Sequence, residues 1–325
     1  MKRALFVSIA AVLALACKQS APAPTAETPP PATTPGKVQP APAPTTGSAA
    51  AADPWTKTPT KKDPLTRPFF WAIEKDGKTS YALGTIHIGV DAEARLPQIV
   101  WDKLDAAKAF AMETDLTDPA LQKIIECNNC SLKRELGPVY WKKLEDILGP
   151  AVAARIEPMK PMVAATMMSL RGLPMTTQMD TLLLARAQNG KKTIVYLEEA
   201  KDEAAILEKW MNVKALKSML DDIEWSDNHT KAMLAAYIAG DDKKMIAMSD
   251  EERAMGLKRG YTAKELDESM QDLLYTRNAN WIAPIEKAHA AGGAFIAVGA
   301  MHLVGPKNVL ELLEKKGYKI TRVTP

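Results

Sequence analysis

Two short stretches, Ala82-Leu83-Gly84-Thr85-Ile86-His87-Ile88 and Ala297-Val298-Gly299-Ala300-Met301-His302-Leu303, share one pattern from opposite ends of the chain. Each is an apolar run followed by Gly-x-x-His. The chain holds four His. With Gly at about 7% of residues, two of four carrying Gly at minus three is roughly a few-per-cent coincidence. Gly permits a sharp turn at a strand end. A His placed just beyond it projects over the edge of a sheet.

Working outward, Phe69–Glu74 and Thr79–Leu83 flank Asp76-Gly77, a dipeptide suited to a tight hairpin turn. Lys108–Met112, Thr193–Leu197, Ala294–Val298 and Tyr318–Val323 are further short apolar runs bounded by turn signals. Helical periodicity separates most of them, at Leu96–Ala107, Thr181–Gln188 and Asn308–Lys316. Strands alternating with helices predict an α/β fold around a central, mostly parallel sheet. The middle is read as large helical insertions over that sheet: Val139–Leu148, Pro161–Leu170, Asp202–Leu220, Ser226–Ala239 and Ala263–His289. The methionines of Met159–Met179 suit adaptable core packing, with a pliable apolar groove as the alternative.

Glu113 ends one expected strand, Glu198 ends another, and His87 and His302 follow two more. In parallel α/β sheets ligands gather at the carboxyl ends of strands. Two imidazoles and a carboxylate make a donor set for a first-row divalent ion, so His87, His302 and Glu113 are the expected metal ligands. A second carboxylate nearby, Glu198, could serve as general base. Set against this, a lone His at a strand end is more often a hydrogen-bonded structural residue, and Glu113 could merely cap a turn. Glu198 and Glu199 are adjacent, which predicts that one is solvated. His229 and His289 lack the strand context and are expected on helix surfaces. Leu274, Arg277, Asn278, Trp281 and Ile285 share one helical face. A buried Arg277 needs a partner. Glu113, Asp180 and Glu198 are candidates, or Arg277 could clamp an anionic intermediate.

The N-terminus predicts export. Lys2 and Arg3 precede the apolar Ala4–Ala16, and small residues precede Cys17. One reading makes Leu13-Ala14-Leu15-Ala16-Cys17 a lipoprotein box, with the membrane reached through lipid on Cys17. The other is ordinary cleavage after Ala16. Residues 1–17 are thus the expected signal, 18–64 a Pro/Ala/Thr-rich spacer, and 65–325 the folded part. Setting Cys17 aside leaves Cys127 and Cys130, which predicts a local disulfide in an exported protein; a redox role is the alternative. The 325 residues carry 42 Lys+Arg against 39 Asp+Glu, a net charge of only +3. With no interleaving of aromatic and basic residues, this gives nucleic-acid binding little footing.

These segments together resemble the TraB/GumN family, which is related to the Tiki proteases and more distantly to erythromycin esterase-like proteins. The likeness runs from about Phe69 to Val323. It rests on Leu83–His87, Met112-Glu113, Asp180 before Ala185-Arg186-Ala187, Leu197-Glu198, Tyr237 with Gly240-Asp241, Arg277-Asn278 with Trp281, and Val298–Gly305. The resemblance implies an α/β fold with pseudo-duplicated halves. It also implies that His87, His302 and Glu113 match the family's paired Gly-x-x-His motifs and glutamate. A manganese or cobalt-like ion is the implied metal, with zinc a further candidate. One departure is Glu198-Glu199, where the family often has Glu-Thr. The expected activity is a metal-dependent hydrolase, a peptidase of the cell envelope acting on peptide or protein substrates. Glu113, Glu198, Arg277 and Asn278 are its expected catalytic residues. The alternative is a non-catalytic, peptide-sequestering envelope lipoprotein.

Overall fold

A computed structural model describes residues 63–115, 117–118, 127 and 129–325. The expected signal, Cys17 and the spacer up to 62 lie outside the described residues. Among the described residues, no helix is long and apolar enough to cross a membrane.

The strands are β1 (Phe70–Lys75), β2 (Lys78–Thr85), β3 (Ala109–Met112), β4 (Thr193–Tyr196), β5 (Ala294–Gly299) and β6 (Lys319–Arg322). They form one sheet in the order β4-β3-β5-β2-β1-β6. The pairs β4/β3, β3/β5 and β5/β2 are parallel. The pairs β2/β1 and β1/β6 are antiparallel. The sheet is therefore mixed, with its parallel part holding the Gly-x-x-His strands. Asp76 and Gly77 both take positive φ, 49° and 70°, the geometry of a two-residue hairpin loop. That turn sets the register in which Lys75 faces Lys78. Phe110 of β3, Phe295 of β5, Phe70 of β1 and Tyr81 of β2 form a chain of ring contacts at centroid distances of 5.6–6.2 Å. Such lateral pairs lock register and bury large apolar area.

The helical middle packs around a second apolar cluster that includes Leu132, Trp141, Leu144, Met162, Val163, Leu216 and Leu273. Met162, Met168 and Met179 are buried in the two cores, in keeping with a packing role. The stretch expected as one helix over Asp202–Leu220 is two, Ala200–Trp210 and Val213–Asp221, because Asn212 caps the second through its side chain. The stretch expected over Ala263–His289 is also divided. Between helices Ala263–Met270 and Thr276–Ala290 lies a π-helical turn, Gln271–Tyr275. A further helix, Asp242–Lys258, did not stand out in the sequence: its charged residues encircle it, and few apolar positions mark a face. Cys127 and Cys130 form a disulfide.

Candidate active site

The four parallel strands deliver side chains to one rim in sheet order. Glu198 lies two residues past β4, Glu113 directly after β3, His302 three past β5, and His87 two past β2. The two Gly-x-x-His strands are hydrogen-bonded neighbours, with Gly84 opposite Val298 and Thr85 opposite Gly299. Gly84 is not at a sharp turn, as its spacing suggested, but inside β2. A Cβ there would lie 2.9 Å from the Phe69 Cβ and 3.0 Å from the Ala300 Cα. Glycine is required by that close approach. Tyr237 anchors the same point, its hydroxyl donating to the Gly84 carbonyl at 2.8 Å.

His302 sits in the 3₁₀ turn Ala300–His302 and is buried. Its Nδ1 is 2.6 Å from Asn278 Oδ1. Asn278 Nδ2 donates to the Lys307 carbonyl at 2.9 Å, which fixes the amide with its oxygen towards the ring. An amide oxygen only accepts, so the proton of the neutral imidazole is on Nδ1 and Nε2 presents its lone pair. Arg277 Nη1, a donor 3.5 Å from Nε2, requires the same tautomer. Burial pushes the His302 pKa down to about 3, outweighing the attraction of Glu113. The ring is neutral at neutral pH.

His87 is held differently. Its Nδ1 is 2.8 Å from Asp180 Oδ2, while Thr85 donates to Asp180 Oδ1 at 2.7 Å. Burial opposes charge on His87, but the coulombic pull and hydrogen bond of Asp180, aided by Glu113, raise its pKa. Asp180, one of three partners considered for Arg277, thus serves His87 instead. Both imidazoles line one cavity of about 80 Å³.

Glu113 is buried, accepting from the Gly299 N–H at 2.6 Å and from Arg277 Nη2 at 2.8 Å. Its Oε2 is 4.0 Å from His302 Nε2. Burial disfavours its anion, but the charges of His302, Arg277 and His87 and the Gly299 N–H lower its pKa. With His302 neutral, Arg277 and the Gly299 N–H hold Glu113 ionised at neutral pH. Arg277 is 2% exposed and also binds Glu198 through Nε and Nη2, with Glu203 Oε1 3.3 Å from Nη2. Trp281 Nε1 is 3.4 Å from Glu198 Oε2. Three carboxyls thus share one guanidinium. Burial raises the pKa of Glu203 well above the ordinary value and that of Glu198 less, Arg277 opposing and the neighbouring carboxylates adding to the rise. Glu203 is the carboxyl that keeps its proton longest.

Glu113, Glu198, Arg277, Asn278 and His302 therefore form one contact network, joined to His87 through the shared cavity. Glu198 is enclosed while Glu199 is 68% exposed, as their adjacency implied. Glu203 was not singled out in the sequence: an acidic residue in the first turn of a helix reads as a solvated one. The His229 and His289 expectation is corrected, because both are buried. His289 joins Ser80 Oγ and the Lys75 carbonyl, tying the β1–β2 hairpin to its helix. His229 stacks on Trp225 at 4.5 Å.

Two donor sets share Glu113. Among the described residues, ligating atoms of Glu113, Glu198 and Glu203 all lie within 4.8 Å of one another. Arg277 already supplies the cation in that trio. His302, a neutral ring whose Nδ1 is held by an oxygen acceptor, has the arrangement of a metal-bound histidine, and it shares a cavity with His87.

The parallel strand ends thus gather two histidines and a buried glutamate, and the helix Thr276–Ala290 brings Arg277 onto the glutamate. The TraB/PrgY/gumN family model matches residues 69–322, and the chain belongs to that family. It is also similar to "Metalloprotease TIKI1" of Homo sapiens, 23% identical over 322 residues, an alignment covering 78% of this chain and 61% of that protein. The chain thus spans about three fifths of the length of that curated relative. No solved structure matches.

Proposed function

We propose that this protein is a metal-dependent hydrolase that cleaves peptide bonds, acting in the cell envelope. The observation that carries the reading is the fixed tautomer of His302, neutral, Nδ1 bound by Asn278, Nε2 turned towards Glu113. His87, His302 and Glu113 would hold the ion. A divalent ion there would polarise a peptide carbonyl and acidify a water. Glu113, kept anionic by Arg277, is the oxygen base at this rim, and Glu203 the carboxyl that retains a proton to give. Arg277 keeps Glu113 ionised and holds Glu198 in place. Asn278, engaged at both ends of its amide, orients His302 and is a positioning residue. Family membership and the likeness to a metalloprotease support the hydrolase class. Lipid on Cys17 would provide the tether.

One observation favours the second reading, a peptide-binding protein without turnover. The carboxyl trio already has a cation at its centre, the Arg277 guanidinium, without an ion. A peptide library incubated with manganese, cobalt or zinc, with and without chelator, separates the two. Chelator-sensitive cleavage supports the hydrolase. Saturable peptide binding that ignores chelator, with no cleavage under any ion, supports the sequestering protein.

A further inference from the structure

A second cavity, about 160 Å³, lies in the helical layer. Its walls include Trp210, Trp225, Tyr261 and Ala215, and are largely apolar. Two polar groups on the Asp242–Lys258 helix and its C-terminal cap also line it, Glu252 and Arg259. Glu252 Oε2 and Arg259 Nη2 are enclosed and have no hydrogen-bond partner among the described residues. Arg259 is positioned by Asp222, 2.8 Å from its Nε, and by the Trp225 ring at 4.9 Å. This cavity and the histidine cavity are both lined by Ser169 and Thr230, so they abut there.

We propose that the helical-layer cavity receives one large apolar or aromatic residue of a peptide substrate, its side chain among the tryptophans and its backbone amide between Glu252 and Arg259. Three observations converge on this occupant. First, an apolar cavity of about 150 Å³ accommodates one benzene ring, which matches this volume and excludes it from the smaller histidine cavity. Second, a buried acceptor and a buried donor call for a ligand group that both donates and accepts. A peptide unit does so through its N–H and C=O. Third, the Arg259 guanidinium is already paired with Asp222, so a neutral amide fits better than a charged group. Small residues, Ser169 and Thr230, lie between this cavity and the histidine rim. A bound residue there would set its neighbouring peptide bond near His87 and His302.

The assignment of a specificity pocket rests on the peptidase reading, but the pocket's occupancy can be measured without turnover. The probe is N-acetylphenylalaninamide, compared with N-acetylalaninamide, titrated into the full chain while tryptophan emission is followed. The expected result is a saturable change with a midpoint on the order of a millimolar for the phenylalanine compound. The alanine compound binds at least about tenfold more weakly for want of the ring. His302→Ala leaves probe binding unchanged. Ala215→Phe, which fills the cavity, weakens it at least about tenfold by steric overlap; Ser218→Leu is the milder substitute if that variant does not fold. Equal binding of the two compounds, no saturable response, or unaltered binding in a folded Ala215→Phe overturns the proposal. Probe binding without peptide cleavage keeps the pocket and removes the peptidase. Cleavage indifferent to large apolar residues, with no probe binding, does the reverse.

Discussion

Asn278 and His302 are joined by a 2.6 Å contact between amide oxygen and Nδ1, and this contact decides which ring nitrogen faces Glu113. Leucine at position 278 removes the acceptor while keeping bulk. Outer partners of this kind are worth about 10–100-fold in metal affinity. Asn278→Leu should therefore weaken manganese binding by about that factor with His302 still present. Calorimetric titration against wild type checks it; an unaltered affinity would mean that the contact is structural only.

Arg277 is the cation for a buried carboxyl cluster. Removing one member of such a pair leaves an uncompensated charge and costs about 3–5 kcal/mol. Arg277→Met should lower unfolding stability by about that amount at pH 7. The sign with pH follows. Without Arg277 the folded pKa of Glu113 rises above its unfolded value, so protons favour the folded variant. Part of the loss should be regained as pH falls towards the ordinary glutamate value, and urea midpoints at pH 5 and pH 7 read this out.

Glu203 and Glu113 should respond oppositely to amide replacement. Burial pushes the Glu203 pKa well up, so an amide there disturbs the cluster less than an amide at Glu113, and Glu203→Gln should change stability by less than about 1 kcal/mol. Glu113→Gln removes the anion that Arg277 and Gly299 bind, and should cost about 2–4 kcal/mol. Thermal unfolding of the two variants side by side is the check. If Glu203 is a proton donor, Glu203→Gln also loses turnover while staying folded.

Glu252 gives a pH signature away from the site. Burial raises its pKa from the ordinary 4.5 to about 8, Arg259 opposing. Between those values the folded chain holds a proton that the unfolded chain has released. Stability from this group is present in full below about 4.5 and is lost as pH rises towards about 8. Glu252→Gln should flatten that decline, seen as a smaller drop in urea midpoint between pH 5 and pH 8 than in wild type.

Much of the architecture was legible because its signals are local. Asp76-Gly77 marks a hairpin, and the six apolar runs are short and bounded by glycine or charge. The paired Gly-x-x-His segments anticipate neighbouring parallel strands because the same local solution was needed twice. The buried face of Arg277, Asn278 and Trp281 was visible as helical spacing. What stayed hidden depends on distant packing. Gly84 owes its identity to Phe69 and Ala300, one of them far away in sequence. Glu203 looks solvated until the arginine helix covers it. The Gln271–Tyr275 π turn, a feature frequent beside functional sites, leaves no mark in apolar periodicity. His229 and His289 carry no pattern that separates a buried ring from an exposed one.

The central claim is that His87, His302 and Glu113 bind one divalent ion, and manganese calorimetry on the metal-stripped full chain tests it most directly. Wild type should take up one equivalent saturably, and folded His87→Ala and His302→Ala, verified by circular dichroism, should lose that uptake. Saturable binding that survives both substitutions, or a folded wild type that takes up no ion, would contradict it.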